Sequence, residues 1–206
     1  MDRFAENRNG KIFAEDERIL LRSLAEGDRE TYLGLSGKEA FLRNYYLDEA
    51  FTSELWEEYA SKKHFHCSIF KKCKEGPEEI YIGQCGVLNV DTDEWELEIE
   101  IREEERGKGY GKEAFGLFIQ MLRNYLDGQQ LVAIVRADNL CSQKMCEALG
   151  GVVAGLVKIC GYSQEEMERY EQRYHYQVTE AMQRVAWKMH VAPEKFLTHA
   201  LWYRFD

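Results

Sequence analysis

Prolines and long apolar runs are scarce in this sequence of 206 residues. Pro77 and Pro193 are the only prolines, so few helices or strands are forced to end. The longest apolar stretches, such as Leu131 to Val135, are far shorter than the ~20 residues of a membrane-spanning helix. Met1 to Gly10 is polar and lacks the apolar segment of a secretion signal. These features predict a soluble cytoplasmic protein without a membrane partner.

Positive charge is also in deficit. The chain has 27 Lys and Arg against 37 Asp and Glu, which gives a net charge of −10. Nonspecific nucleic-acid binding depends on clustered Lys and Arg, so no nucleic-acid partner is expected. An acidic protein suits a cationic partner or substrate, although the same charge could serve solubility alone.

The six cysteines and the histidines do not form a recognisable metal motif. No two cysteines make the C-x-x-C pair of a zinc ribbon or a thioredoxin-like site, so free thiols are expected. His64 and His66 share one face of a predicted strand, but no third ligand accompanies them. No metal site is therefore predicted.

The hydrophobic share of 45% is that of a globular protein, which excludes a disordered chain.

Hydrophobic periodicity predicts strands and helices in alternation. The segment from Trp95 to Arg102 alternates strictly, with Glu96, Glu98 and Glu100 on one face. Helical spacing from Ala114 to Tyr125 follows. Further strands are predicted at Arg18 to Arg22, His64 to Lys71, Ile80 to Val90, Leu131 to Val135, Val152 to Cys160 and Leu197 to Phe205. Helices are predicted between about Asp28 and Lys62 and over Ser142 to Leu149. This order predicts a mixed α/β (α+β) domain with at least one parallel strand pair.

A long helix is predicted near the carboxyl terminus. Ser163 and Glu166 form a capping-box pattern, and no Gly or Pro follows before Met189. Apolar residues recur at helical spacing, which predicts one amphipathic helix about 40 Å long. This stripe comprises Tyr170, Tyr174, Val178, Met182, Val185 and Met189. The helix could cover an acceptor site, form a homodimer through the stripe, or pack the stripe on its own domain.

A glycine-rich segment, Arg106-Gly-Lys-Gly-Tyr-Gly-Lys112, joins the alternating strand to the following helix. Alternate glycines allow a sharp turn, and the N–H groups at a helix start attract anions. Arg106, Lys108 and Lys112 add positive charge. The segment therefore predicts a phosphate site, most directly for a pyrophosphate. A Walker A loop is excluded by Arg106 and Glu113, and the glycine spacing differs from that of a Rossmann loop.

The pattern Arg106-x-x-Gly109-x-Gly111 resembles the R/Q-x-x-G-x-G/A signature of the GCN5-related N-acetyltransferase (GNAT) superfamily. Ala137 to Ser142, followed by Ala148-Leu-Gly150, is similar to the asparagine block of that family, with Gly151 in place of the usual Phe. Asp16 to Leu24 resembles the opening of the ribosomal-protein (Rim-type) acetyltransferase branch. The resemblance spans roughly residues 14 to 160.

The resemblance implies a single GNAT domain over residues 1–206. Its mixed central sheet would have about six to seven strands, splayed between the fourth and fifth strands and flanked by helices. The core would occupy residues 14–160, a helical insertion about 161–195, and a closing strand about 197–205.

The resemblance also implies acetyl-CoA as co-substrate. Its pyrophosphate would lie on the N–H groups of residues 107 to 111. The pantetheine arm would pair with the backbone near Ile101, and the N–H near Ile99 would polarise the thioester carbonyl. Asn139 and Ser142 match positions that line the CoA channel. The implied cofactor-binding residues are Ile99, Ile101, Arg106, Gly107, Lys108, Gly109, Tyr110, Gly111, Lys112, Asn139 and Ser142.

Acetyl transfer to an amine needs a base, because amines are protonated at pH 7. Family members often use a glutamate on or near the fourth strand. Glu98 and Glu100 are the favoured candidates here, because they lie nearest the loop, and neighbouring carboxylates raise the pKa of one of them. The alternative is that these side chains form an ordinary solvated strand face.

Many relatives place a tyrosine seven residues after the asparagine, where this sequence has Cys146. Its thiol could protonate the leaving CoA, with Ser142 as an alternative donor, or it could be a core thiol. The predicted function is acetyl-CoA-dependent N-acetylation of a primary amine, either a small cationic amine or a peptide N-terminus. The alternatives are a catalytically inactive acyl-CoA-binding or interaction protein and a nucleotide-binding module.

Overall fold

The chain forms two compact units in a computed structural model that describes residues 2–36, 48–73 and 79–206. The first unit is Met1–Leu131 and the second is Val132–Asp206. Strands and helices are mixed along the described residues, which confirms the predicted α/β (α+β) class. No helix among these residues is both long enough and apolar enough to cross a membrane. The extent of one domain over residues 1–206 stays a prediction.

Within its described residues, the first unit has five strands that pair in chain order, each antiparallel to the next. Three helices accompany these strands in the same residues. The strands are β1 (Ile12–Glu15), β2 (Ile19–Ser23), β3 (Phe65–Lys72), β4 (Glu79–Leu88) and β5 (Glu94–Ile101), and the helices are α1 (Arg29–Ser36), α2 (Glu49–Ala60) and α3 (Tyr110–Leu122). All but β1 were predicted. The strand β1 has only four residues and does not alternate, so periodicity does not detect it.

Alternation along β3 gives this sheet one apolar and one polar buried face. Phe65 is buried on the first face, where it stacks on Phe4 and lies against Phe118 of α3. His66 is buried on the opposite face, where the ring of Tyr32 from α1 contacts it. The sheet of the first unit therefore has buried polar groups on the face covered by α1. Such groups need hydrogen-bond partners.

The second unit contains the rest of the elements. The strand β6 (Gln130–Val135) begins at the boundary between the units. Helix α4 (Leu140–Ala148) follows, and β7 (Gly151–Lys158) pairs antiparallel with β8 (His199–Phe205). Two further helices, α5 (Gln164–Arg173) and α6 (Glu180–Met189), lie between β7 and β8 in the sequence.

The prediction of one continuous helix from Ser163 to Met189 is wrong. The predicted capping box at Ser163 is present and begins α5, but the chain leaves the helix at Tyr174. The second helix, α6, begins after Thr179, whose hydroxyl accepts a hydrogen bond from the N–H of Met182. A side chain that caps locally competes with helix continuation, and apolar periodicity does not detect this.

The apolar stripe on these helices packs within its own unit. Met182 is buried, and the other members of the stripe are half-buried. This arrangement favours the third of the predicted roles, in which the stripe packs on its own domain. The lid and the homodimer stay predictions.

The amino-terminal segment of the first unit contributes to its core. Phe4 is 0% exposed, and its ring centroid lies 4.1 Å from that of Phe65 and 5.5 Å from that of Trp95. We expect Phe4→Ala to lower the free energy of unfolding by about 3–5 kcal/mol, because it leaves a cavity among aromatic rings. Urea denaturation measures this change.

The matched control is Ile12→Ala, since Ile12 is 53% exposed. This variant should change the free energy of unfolding by no more than about 0.5 kcal/mol. Equal effects of the two substitutions would show that the amino-terminal segment is not part of this core.

Candidate active site

The glycine-rich loop connects the end of β5 to the first turn of α3. Gly107 and Gly109 have φ values of +75° and +86°, in the left-handed region that other residues rarely adopt. A Cβ atom built at either glycine would meet no atom of the described residues within 4 Å. The backbone geometry therefore requires glycine, while the space in front of the loop is open to a ligand.

Backbone donors and one guanidinium surround this open space. The N–H groups of Tyr110, Gly111 and Lys112 belong to the first turn of α3, where no preceding turn supplies acceptors. The Nε of Arg106 donates to the carbonyl of Ile101 at 2.9 Å, which anchors its side chain at the end of β5. The guanidinium of Arg18 lies 4.6 Å from the Tyr110 ring centroid and steadies the loop from the β1–β2 turn. This set fits a pyrophosphate group.

The positive charge of Lys108 is partly balanced by a neighbouring carboxylate. Its Nζ lies 3.0 Å from Oε2 of Glu105, and Nζ of Lys71 lies 2.5 Å from the other carboxylate oxygen. Hydrogen bonds from Lys71 and Lys108 lower the pKa of Glu105. Glu105 therefore stays ionised and partly balances the positive charge of the loop. Lys71 was not predicted to contact the loop, because it lies on β3, far from the motif along the chain.

The backbone of β5 turns the polar groups of Ile99 and Ile101 away from β4. The N–H of Arg102 donates to the carbonyl of Ile82 on β4 at 2.9 Å. In an antiparallel pair, residues that bond to the neighbouring strand alternate with residues that do not. The N–H and C=O groups of Ile99 and Ile101 therefore point away from β4. The carbonyl of Ile101 accepts from Arg106, and the N–H of Ile99 is directed to the side of β5 that faces away from β4.

The side chains of Glu96, Glu98 and Glu100 lie on one face of β5, and all three are half-buried. Burial and the neighbouring charge of Glu98 raise the pKa of Glu96. Oε1 of Glu98 lies 3.3 Å from Nδ1 of His66, and 40% of the Glu98 side chain is exposed. These carboxylates are therefore more enclosed than those of a solvated strand face, and Glu98 combines a buried partner with access to solvent.

His66 is a member of this site that sequence analysis treated as an ordinary strand residue. It is fully buried, and its Nδ1 lies 2.6 Å from the hydroxyl oxygen of Tyr32. The ring centroid of Tyr59 from α2 lies 4.7 Å away. The glycine at position 86 could have indicated this role, because it lies opposite both His66 and Glu98. These pairings follow from the strand register, which the sequence did not reveal.

Other predicted site residues lie in the second unit. Asn139 caps α4, because its side-chain oxygen accepts from the N–H of Ser142 at 3.1 Å. Cys146 is buried, and burial together with the charge of Glu147 raises the pKa of its thiol to about 12. This environment makes Cys146 a weak proton donor and favours the alternative of a core thiol. Its catalytic role stays a prediction. Among the residues described, no cluster of three or more His, Cys, Asp or Glu side chains could hold a metal ion.

An open, glycine-built loop thus lies beside a strand that carries carboxylates. A family model for the acetyltransferase (GNAT) domain matches residues 18–152. This chain therefore belongs to the GNAT acetyltransferase family, and acetyl-CoA is its co-substrate. No curated protein matches the sequence.

Solved structures resemble the fold at low sequence identity. Spermidine N-acetyltransferase from Vibrio cholerae, in complex with CoA and spermine, has a TM-score of 0.58 and 17% identity, over 71% of this chain and 88% of that one. Ribosomal-protein-S5-alanine acetyltransferase from Vibrio fischeri has a TM-score of 0.52 and 21% identity, over 70% and 85%. A GNAT-family acetyltransferase from Bacillus anthracis has a TM-score of 0.60 and 14% identity, over 93% and 96%.

The environment of Cys146 makes a testable prediction about thiol reactivity. With a pKa of about 12, only about one thiol in ten thousand is ionised at pH 8, and the sulfur is also buried. We expect iodoacetamide at pH 8 to leave Cys146 unmodified in the folded protein. Mass spectrometry of the alkylated peptides measures this.

Cys141 is the internal control, because it is exposed in the first turn of the same helix. It should be alkylated readily in the folded protein, and both thiols should react in urea. Modification of Cys146 at the rate of Cys141 would contradict the burial described here and would restore the thiol as a donor candidate.

Proposed function

We propose that this enzyme transfers the acetyl group of acetyl-CoA directly to a primary amine, and that the preferred acceptor is a small cationic amine. The observation that carries the proposal is the structure of β5. Glu96, Glu98 and Glu100 lie on one face, the backbone turns the N–H of Ile99 away from β4, and the end of the strand leads into the glycine-rich loop. In this proposal, one strand supplies the base, the N–H that donates to the thioester carbonyl, and the connection to the phosphate site.

The loop holds the co-substrate in this proposal. The N–H groups of residues 107 to 112 and the Arg106 side chain would bind the pyrophosphate. When bound, acetyl-CoA supplies the activated thioester carbonyl. The N–H of Ile99 would donate a hydrogen bond to that carbonyl, and an N–H aimed at developing negative charge is an effective catalytic element.

The base in this proposal is Glu98. An alkyl amine is mostly protonated at pH 7, so a nearby carboxylate must accept a proton before attack. Glu98 contacts the buried His66 at 3.3 Å, yet 40% of its side chain is exposed, so an acceptor can reach it. Glu100 is the second candidate, because it lies closer to the loop.

Charge supports a cationic acceptor. Three carboxylates lie within five residues on one face of β5, in a chain with a net charge of −10. Such a field attracts cations and raises their local concentration. The similar fold of a spermidine N-acetyltransferase is compatible with this class, whereas the similar fold of a ribosomal-protein acetyltransferase makes a peptide N-terminus the second acceptor to test.

The loop is tested by thermal unfolding with acetyl-CoA. At 100 times its dissociation constant, a ligand adds about 2.7 kcal/mol to the free energy of unfolding, which raises the melting temperature measurably. We expect Gly109→Glu to lose this stabilisation, because it places a carboxylate and a strained backbone in the anion site.

Gly128→Glu is the matched control for this experiment. Gly128 also has a positive φ, +91°, and open space around its Cα, but it lies in the turn after α3. This variant carries the same charge and the same kind of strain, and it should keep the stabilisation by acetyl-CoA. Equal stabilisation of both variants would place the phosphate site elsewhere.

The base is tested by release of free CoA from acetyl-CoA, with spermidine and an alanine-initiated peptide as separate acceptors. We expect Glu98→Gln to lower the rate by about 10²- to 10⁴-fold at pH 7, since general base catalysis contributes that range. Glu96→Gln controls for the loss of one charge on the same face. A larger loss in Glu96→Gln or Glu100→Gln would reject Glu98 as the base, and release with the peptide alone would reject the small cationic acceptor.

A further inference from the structure

Three strands place a histidine, a glycine and a glutamate in one row. His66 on β3 lies opposite Gly86 on β4, and Gly86 lies opposite Glu98 on β5. In an ordinary row, the side chain of the middle strand would separate the outer two. Gly86 has none, so the imidazole of His66 lies over β4 and reaches the carboxylate of Glu98 at 3.3 Å.

The space over Gly86 is filled by the imidazole itself. A Cβ atom at position 86 would lie 2.3 Å from Nδ1 of His66 and 2.7 Å from its Cε1. No protein tolerates such a contact, so any other residue at position 86 would displace the ring. The contact between His66 and Glu98 therefore depends on glycine at this position.

The other two candidate carboxylates lie in rows without such a gap. Glu100 lies opposite Gln84, and Glu96 lies opposite Leu88. Both middle residues carry side chains. Among the three candidate bases, Glu98 is thus the one whose row leaves room for a residue of β3 to contact it.

The polar contacts around His66 favour one tautomer. Nδ1 lies within reach of both Oε1 of Glu98 and the hydroxyl oxygen of Tyr32, whereas Nε2 is buried and has no partner among the described residues. A neutral imidazole carries its proton on one nitrogen only. A proton on Nε2 would bury an unpaired donor, and buried unpaired N–H groups are rarer than under-satisfied acceptors. A proton on Nδ1 would instead be shared between Glu98 and Tyr32.

We propose that His66 is a positioning residue, whose Nδ1–H donates to Glu98 across Gly86 and holds that carboxylate in place as the base. The inference rests on the proposed function, in which Glu98 accepts the proton of the amine. His66 acts through Glu98 and does not itself contact the acceptor. Tyr32 and Tyr59 enclose the imidazole from α1 and α2, so the ring has little freedom to turn away.

The tautomer is tested without any acceptor, by long-range ¹H–¹⁵N spectra of protein labelled with ¹⁵N-histidine. We expect the pattern of an Nδ1–H tautomer for His66 at neutral pH. The nitrogen signals of His66 should move in Glu98→Gln and stay in place in Glu96→Gln. An Nε2–H pattern, or signals that do not respond to Glu98→Gln, would overturn the proposal whether or not the protein acetylates an amine.

Positioning is tested by kinetics with acetyl-CoA and spermidine. His66→Phe should lower kcat by about 10- to 100-fold, since small displacements of a catalytic group have effects of this size. His66→Asn should recover most of this loss, because its amide can place a donor near the position of Nδ1. The KM for acetyl-CoA should be unchanged in both variants, since the loop is intact.

Two further variants separate positioning from general loss of structure. Gly86→Ala keeps the imidazole but displaces it, so kcat should fall as in His66→Phe. His64→Asn removes a neighbouring buried histidine that contacts Glu58, and it should keep kcat near that of the unaltered protein. Full activity in Gly86→Ala, or equal losses in His66→Asn and His66→Phe, would overturn the proposal. A responsive Nδ1–H signal with full activity in Glu98→Gln would instead reject Glu98 as the base.

Discussion

The register between β4 and β5 is the constraint on which the site depends. The side-chain period of a strand is two, so a slip of one residue would move every side chain to the opposite face. The observed register directs the glutamates of β5 to the face of His66, and it turns the backbone groups of Ile99 and Ile101 away from β4. A Cβ at Gly83 would lie 2.3 Å from the carbonyl oxygen of Glu100, so close strand approach also depends on glycine here.

A buried polar face is unusual in a sheet and carries an energetic cost. His66 and Ser68 on β3 and Gln84 on β4 are buried, although polar groups lose hydration when they leave water. Hydrogen bonds offset part of this cost, as between Tyr32 and His66 and between Tyr81 and Gln84. Proteins retain such local inconsistencies mainly at functional sites, where the groups are needed for chemistry.

The loop is suited to bind an anion although the protein is acidic. Backbone N–H groups at a helix start attract anions, so such a site needs few basic side chains. Glu105 pairs with Lys71 and Lys108, and these pairs tie the loop to β3. Arg106 bonds to the carbonyl of Ile101 and ties the loop to β5. The geometry of the loop therefore depends on strands that are distant in the sequence, while its backbone N–H donors come from the loop and helix themselves.

Features with a local physical origin could be predicted from the sequence. Alternation gave β5, helical spacing gave α3, and the glycine pattern gave the loop and the family, because each depends on residues that are neighbours along the chain. The break between α5 and α6 was missed, since the Thr179 cap competes with a pattern that continues through it. The burial of Cys146 and the row of His66, Gly86 and Glu98 were decided by tertiary structure alone. The burial depends on how α4 packs, and the row depends on which strands pair and in which register. Patterns along a single sequence do not reveal such contacts between distant segments.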